Sequence, residues 1–171
     1  MISPELQDAI DNLHIHDVYV RDLLARCVDD FDPKYDSIIE TLAIQFKYVV
    51  KQSVIVELEN QTNLLRVFVE VGARWIDEAA EDEASSIKAF IEAEFIAEYT
   101  MDKGLEQKSI DEFSLKNVSY HTWPYWRELL SSQCTRMHLP RVILPTVQLA
   151  HNRRHANQDN GSGQKEKNKL N

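Results

Sequence analysis

Apolar and polar residues alternate along two long central segments of the chain, residues 64–76 and residues 87–100. One face of the first segment carries Leu65, Val67, Val69, Val71, Ala73 and Trp75. The matching face of the second segment carries Ile87, Ala89, Ile91, Ala93, Phe95, Ala97 and Tyr99. A period of two residues is typical of β-strands with one buried face. The pattern therefore predicts two unusually long strands, each with a largely polar opposite face.

Two further strands are predicted upstream of these. Residues 46–59 alternate in the same way, and the polar run 59–63 predicts a turn that joins them to residues 64–76 as a hairpin. Residues 13–24 begin with Leu13 and Ile15 on one face and continue with Val18 and Val20 on the other. We expect a β-bulge near Asp17, because one extra residue exchanges the two faces of a strand.

The connections between these strands differ in character. Residues 25–45 form a long connection between the first and second strands, and within it residues 37–46 are a candidate short helix. Residues 77–86, DEAAEDEASS, link the third and fourth strands. We expect this acidic stretch to be a solvated loop, because its like charges oppose close packing.

Helical signals follow the fourth strand. Ser109 and Glu112 have the spacing of a capping box, which predicts the start of a helix. Pro124 suits the first position of a second helix, which runs to about residue 137 and must end before Pro140. One face of this second helix is apolar at spacings of four, four and three residues and consists of Trp126, Leu130, Cys134 and Met137.

We predict one domain, residues 1–150, followed by a disordered basic tail, residues 151–171. The tail contains Gly-Ser-Gly, has Leu170 as its one large apolar residue, and carries five Lys or Arg against two acids. The first 11 residues have neither the basic start nor the apolar centre of a secretory signal. No apolar run approaches the roughly 18 residues of a spanning helix. The expected location is therefore cytoplasmic.

The net charge of −9 is unevenly spread, because the tail contributes +3 and the first 150 residues therefore carry −12. An acidic body repels nucleic acids and anionic membrane surfaces, and it suits a cationic partner. We therefore expect no nucleic acid as a partner and no membrane insertion.

Catalytic and metal-binding patterns are weak. The chain has no GxSxG, P-loop or GxGxxG motif. His14 and His16 share a strand face without a third ligand nearby. Cys27 and Cys134 lie in no CxxC pattern, so the two cysteines are expected to be buried free thiols. We expect no metal, no cofactor and no enzymatic activity. An enzyme that uses the aromatic residues around position 123 is kept as a minor alternative.

Residues 123–147, WPYWRELLSSQCTRMHLPRVILPTV, resemble the signature of the SecB export chaperones. In that family an aromatic-Pro-Tyr-x-Arg-Glu sequence opens a helix, and a Pro and an L-x-P-V ending follow it. The matching positions here are Pro124, Tyr125, Arg127, Glu128, Ser131, Ser132, Arg136, Leu139, Pro140, Leu144 and Val147. Weaker matches upstream extend the resemblance over about residues 12–150.

The resemblance implies an α+β fold with a four-stranded antiparallel sheet, a long crossover between strands 1 and 2, and a long helix after the sheet. It also implies a cytoplasmic homotetramer, a dimer of dimers, that serves in protein transport. Such a chaperone is an ATP-independent holdase: it binds unfolded or aggregation-prone polypeptides without a nucleotide cofactor. The client-binding groove would lie between the crossover and the helix. Its candidate residues are Phe31, Tyr35, Ile38, Tyr125, Trp126 and Leu129.

Departures from the family concern its partners. The family's second helix is nearly absent, because polar residues begin at His151. In the acidic strip that contacts the SecA motor, Asp22 is retained as a candidate translocase contact, whereas Arg26 and Ala93 replace expected acids. These changes suit the SecB-like chaperones of toxin–antitoxin systems, which guard an antitoxin. SecA and an antitoxin are thus both candidate partners. The alternative function is a dedicated adaptor that binds one antitoxin segment without general holdase activity.

Overall fold

A computed structural model describes residues 2–59 and 62–144 of the chain. The elements centre on one antiparallel sheet whose strands lie in the order β1-β4-β3-β2, so a crossover joins the two edge strands, β1 and β2. A 3₁₀ turn, Ser37–Thr41, lies in this crossover. The strands are β1 Leu13–Cys27, β2 Ala43–Glu57, β3 Asn63–Ile76 and β4 Ile87–Met101. The helices are α1 Pro4–Asn12, α2 Glu83–Ser86, α3 Gln107–Lys116 and α4 Val118–Arg136. The predicted α+β class and sheet are confirmed.

The two central strands, β3 and β4, form the core of the sheet. We call the face with Leu65, Val67 and Val69 the helix side, because its buried residues pack in one cluster with Trp126 and Leu130 of α4. The opposite face, with charged residues such as Glu70, is the open side. Every helix-side residue of β3 from Leu65 to Trp75 is fully buried. This burial follows from the central position, where neighbouring strands flank β3 on both edges.

The predicted bulge in β1 is confirmed. The pairing of β1 with β4 shifts between Ile15 and Asp17, and it shifts again between Val20 and Asp22. The first shift explains why Ile15 and Val18 face the same side although their positions differ by three, an odd number that would place them on opposite faces of a regular strand. Bulges of this kind are common at sheet edges, where they interrupt the row of unpaired backbone groups.

The starts of α3 and α4 differ from the predictions. Ser109 does not cap a helix: α3 begins at Gln107 with Glu106 at the N-cap, and Ser109 is a buried residue of its first turn. Pro124 lies inside α4 rather than at its start. A proline in this position removes one hydrogen bond of the helix. The preceding turn is nevertheless held against the sheet, so tertiary packing overrides the local signal.

The helix α1 escaped the sequence analysis, although the chain carries a signal for it. The hydroxyl of Ser3 accepts a hydrogen bond from the backbone N–H of Leu6, and Pro4 occupies the first helical turn. Both are standard helix-start features. Leu6 and Ala9 are buried, and Lys108 of α3 forms an ion pair with Glu5. The helix therefore docks on α3 rather than extending freely.

The helical content of two connections differs from the predictions. The predicted helix 37–46 is the single 3₁₀ turn Ser37–Thr41, because β2 already begins at Ala43. The acidic connection 77–86 was predicted as a loop throughout, and it ends in the one-turn helix α2. Val147, the domain boundary at residue 150 and the tail 151–171 lie outside the described residues. Among the described residues, no helix has the length and hydrophobicity needed to span a bilayer.

Candidate functional site

Two phenols of the sheet hold the beginning of α4. Tyr99 of β4 and His121 share a hydrogen bond of 2.9 Å from the phenol oxygen to Nδ1. The Tyr48 hydroxyl of β2 lies 3.1 Å from Oγ1 of Thr122, whose own hydrogen is donated to the carbonyl of Val118. Burial raises the pKa of both tyrosines, so both phenols stay protonated at neutral pH. The contacts fix α4 over the helix side of the sheet.

Large apolar side chains remain exposed on the same side. Phe46 of β2 is 53% exposed although it lies two residues from Tyr48, which contacts Trp123 of α4 at a ring distance of 6.1 Å. Ile55 at the other end of β2 is also exposed. The sequence alternation of β2 predicted an apolar face, but it could not show that β2 is an edge strand. The edge position leaves this face uncovered.

The six predicted groove residues fall into three classes. Phe31 and Trp126 are buried in the common core, and Trp126 is only 1% exposed. Ile38 and Leu129 are half-buried and pack against that core. Tyr35 and Tyr125 are exposed, at 78% and 49%. In this chain the exposed aromatic surface is therefore offered by Tyr35 and Tyr125, while Phe31 and Trp126 lie beneath the surface and support it.

The crossover around Tyr35 is acidic and locally ordered. Asp36 caps the 3₁₀ turn through Oδ1, which accepts from the N–H of Ile38, and Asp32 accepts from the N–H of Lys34. The Lys34 ammonium lies 5.1 Å from the centre of the Tyr35 ring. Residues 29–40 contain five acids, namely Asp29, Asp30, Asp32, Asp36 and Glu40. The electrostatic environment of Tyr35 thus favours a cationic partner.

The open side carries Asp22, the predicted translocase contact. Asp22 is exposed and lies opposite Glu94 of β4. The carboxylate of Glu94 binds Arg21 at 2.8 Å and Lys51 at 3.3 Å. Further pairs join Lys47 to Glu70, Arg66 to Glu98 and Arg74 to Glu92. The acids of strands β3 and β4 on this side are therefore neutralised within the sheet. The role of Asp22 stays a prediction.

The apolar residues Phe68, Phe90 and Ile96 on the otherwise polar open side predict self-association of the chain. Ile96 is buried, and Phe68 and Phe90 are half-buried. The guanidinium of Arg21 lies 5.5 Å from the centre of the Phe68 ring. Exposed apolar residues lie on both faces of the edge strand β1, with Ile15, Val20 and Leu23 on the helix side and Leu24 on the open side.

Groups suited to catalysis or metal binding are sparse among residues 2–59 and 62–144. No cluster of three or more His, Cys, Asp or Glu that could hold a metal occurs there. Cys134 is buried as expected, whereas Cys27 is half-buried, and desolvation raises the pKa of both thiols. A raised pKa keeps a thiol protonated and a poor nucleophile.

Comparison with known proteins supports the fold. No protein-family model matches the sequence, and no curated protein matches it. The structure is similar to a SecB-like chaperone of Mycobacterium tuberculosis, solved in complex with a ChAD peptide from the HigA1 antitoxin. The TM-score is 0.65 at 13% sequence identity, over 86% of this chain and 99% of the other. At this identity the likeness establishes a SecB-like fold.

Proposed function

We propose that the protein is an ATP-independent holdase chaperone that binds unfolded or aggregation-prone polypeptides. The SecB-like fold supports this proposal, and a protein of that fold has been solved with a bound antitoxin peptide. The proposed activity involves no chemical step and no cofactor. Binding lowers the concentration of free aggregation-prone segments, which is sufficient for a holdase.

Three exposed aromatic residues carry the proposal. Tyr35, Phe46 and Tyr125 come from the crossover, the edge strand β2 and α4, and each is about half exposed or more. Soluble proteins rarely leave large contiguous apolar patches in water unless these bind a partner. Aromatic rings offer much contact area at low cost in side-chain entropy, which suits varied client sequences. Ile38 and Leu129 are proposed to extend this groove.

Charge favours clients that contain basic residues. The five crossover acids around Tyr35 act at longer range than the apolar contacts, so they accelerate encounter with a cationic segment. Salt at physiological concentration screens them beyond about 8 Å, so this attraction acts close to the crossover and weakens as salt is raised. Apolar contact is then proposed to supply most of the retention, because it persists after the encounter.

A specialised client is favoured over general export. The carboxylates of Glu70, Glu92, Glu94 and Glu98 are paired within the open side, which leaves a weaker attraction for a cationic translocase segment. We therefore propose an antitoxin or a similar aggregation-prone protein as the client, and we keep SecA contact through Asp22 as the less favoured partner. A dedicated adaptor for one segment is the alternative function.

The oligomeric and cellular context is also proposed. The uncovered helix side of β1 fits a homo-oligomer, a dimer or a dimer of dimers, since Ile15, Val20 and Leu23 are apolar and exposed in the monomer. We propose a cytoplasmic protein in which residues 1–150 form the chaperone domain and residues 151–171 a disordered basic tail.

Direct binding tests the function. A permanently unfolded, carboxymethylated protein labelled with a fluorophore is titrated with the full chain, and anisotropy reports the complex. The proposal expects saturable binding that Tyr35→Ser/Phe46→Ser/Tyr125→Ser weakens while the far-ultraviolet circular dichroism stays unchanged. Unrelated unfolded proteins displace the label from a holdase and leave it bound to an adaptor. Absence of binding to any unfolded chain removes the holdase proposal.

A further inference from the structure

A groove with three arginines runs along the outward face of α4. This face points away from the buried stripe of Trp126 and Leu130, and it spans about 18 Å from Pro124 to Arg136 at 1.5 Å per residue. Two adjoining cavities, of about 430 Å³ and 320 Å³, lie on it and share Glu128 and Ser131. We call this surface the arginine groove; its cations are Arg127, Arg136 and Arg141.

The groove has a second wall because the chain reverses after α4. His138 adopts a left-handed backbone conformation with φ of 56°, and the N–H of Leu139 donates to the carbonyl of Cys134 at 3.0 Å. The reversal carries Arg141 back beside Pro124 and Arg127, where they line the smaller cavity together. A non-glycine residue at positive φ is uncommon and costs free energy. The second wall is therefore held by the chain reversal itself, through the backbone conformation of His138 and the hydrogen bond of Leu139.

The cations of the groove have no carboxylate partner within the described residues. Arg127 and Arg141 form no ion pair there, and Arg136 binds Ser132 Oγ through Nε at 3.3 Å instead. Glu128 is the one acid lining the two cavities. Guanidinium groups bind carboxylates through paired N–H donors, so the groove is suited to an acidic peptide segment longer than a single anion.

The same chain carries such a segment in the β3–β4 connection, residues 77–86. Its base is closed by the N–H of Asp77, which donates to the carbonyl of Ser86 at 2.8 Å, and a turn bond joins Ala80 to Asp77. Glu78 and Glu81 are exposed and form no ion pair with a described residue. A connection that is already ordered loses little conformational entropy when it docks.

We propose that the β3–β4 connection of a second copy docks in the arginine groove. The connection supplies carboxylates to a surface of opposite charge, and the two do not pair with each other within one chain. The contact is reciprocal, since each copy has both parts: the connection of each enters the groove of the other. Such a two-fold arrangement closes as a dimer, whereas one-way docking would build rings or open chains.

The association constant in solution tests the proposal with the full chain. Sedimentation velocity measures the mass as protein concentration and salt are varied from about 0.05 M to about 0.5 M, over which screening increases severalfold. The proposal expects association that weakens with salt, and a loss of about tenfold in Arg127→Glu/Arg141→Glu. The control Lys103→Glu/Lys116→Glu makes the same charge change in the β4–α3 connection and at the end of α3, and leaves association within about twofold.

Complementation makes the test specific. The variant Glu78→Lys/Glu81→Lys/Glu83→Lys converts three of the five acids of the connection to lysine, which changes its net charge from −5 to +1, and is also expected to lose association on its own. Mixed with the groove variant, it restores association, because each docking contact in the mixed pair again joins opposite charges. Two results would overturn the proposal. One is an association constant that neither added salt nor the groove substitutions change. The other is a mixture of the two variants that associates no more strongly than either variant alone. The readout is mass, so the outcome is independent of client binding.

Discussion

The Nδ1 atom of His121 on α4 lies 2.9 Å from the phenol oxygen of Tyr99 on β4. The Tyr99 ring also meets Phe113 of α3 edge to face, with ring centres 5.1 Å apart. Through these two contacts Tyr99 joins three elements, β4, α3 and α4.

Stability is expected to fall in mild acid because His121 is partly buried. Burial lowers the pKa of His121 below its ordinary value of 6.5. Above that pH neither the folded nor the unfolded chain protonates the ring. Below it the unfolded chain takes up the proton first, so the free energy of unfolding decreases until the pH has passed the folded pKa. Urea unfolding of wild type and His121→Gln from about pH 7.5 to about pH 5 measures this, and parallel curves would contradict it.

Arg66 and Glu98 form a cross-strand pair with unequal exposure. The Nε of Arg66 lies 2.7 Å from the Glu98 carboxylate, whose side chain is only 9% exposed. Arg66→Met leaves this charge poorly compensated and is expected to cost about 2 kcal/mol in urea unfolding. The more exposed pair Arg74–Glu92 is the control, and Arg74→Met should cost less than about 1 kcal/mol. Equal losses in the two variants would show that burial does not strengthen the first pair.

Tyr125 and Trp126 are neighbours with different expected roles. Trp126 is buried, so Trp126→Ala should lower the free energy of unfolding by about 3–5 kcal/mol. Tyr125 is half exposed, so Tyr125→Ala should cost less than about 1 kcal/mol and weaken client binding instead. Chemical unfolding and client titration on the same preparations separate the two effects. A Tyr125 variant that binds clients like wild type would remove this residue from the groove.

Leu23 and Leu24 provide a matched pair for self-association. Leu23 lies opposite Ala93 on the helix side of β1, and Leu24 lies opposite Glu92 on the open side. Both are exposed. Leu23→Asp is expected to dissociate an oligomer that uses the helix side of β1, while Leu24→Asp leaves its mass unchanged. Light scattering coupled to size exclusion measures both, and the reverse order would place the interface on the open side.

The strands could be predicted because the two-residue alternation of apolar and polar positions is visible in the sequence itself. The bulge near Asp17 was visible in the same way, as a switch of the apolar face. The position of Pro124 inside the helix could not be predicted. Its local preference for a helix start is overridden because Tyr48 and Tyr99, from distant strands, bind the turn that precedes it. The burial of Trp126 could be predicted, because its spacing from Leu130 places it on the apolar stripe of the helix. Phe46 illustrates the limit: its exposure depends on the strand order, which no local pattern encodes.

Suppression of aggregation tests the central claim most directly. Light scattering of a chemically denatured, aggregating client is followed after dilution, with the chain at equimolar ratio and without nucleotide. The holdase proposal predicts strongly reduced scattering with wild type, much less reduction with Tyr35→Ser/Phe46→Ser/Tyr125→Ser, and full activity of the open-side control Arg74→Met. Scattering that wild-type protein leaves unchanged would contradict the proposed function.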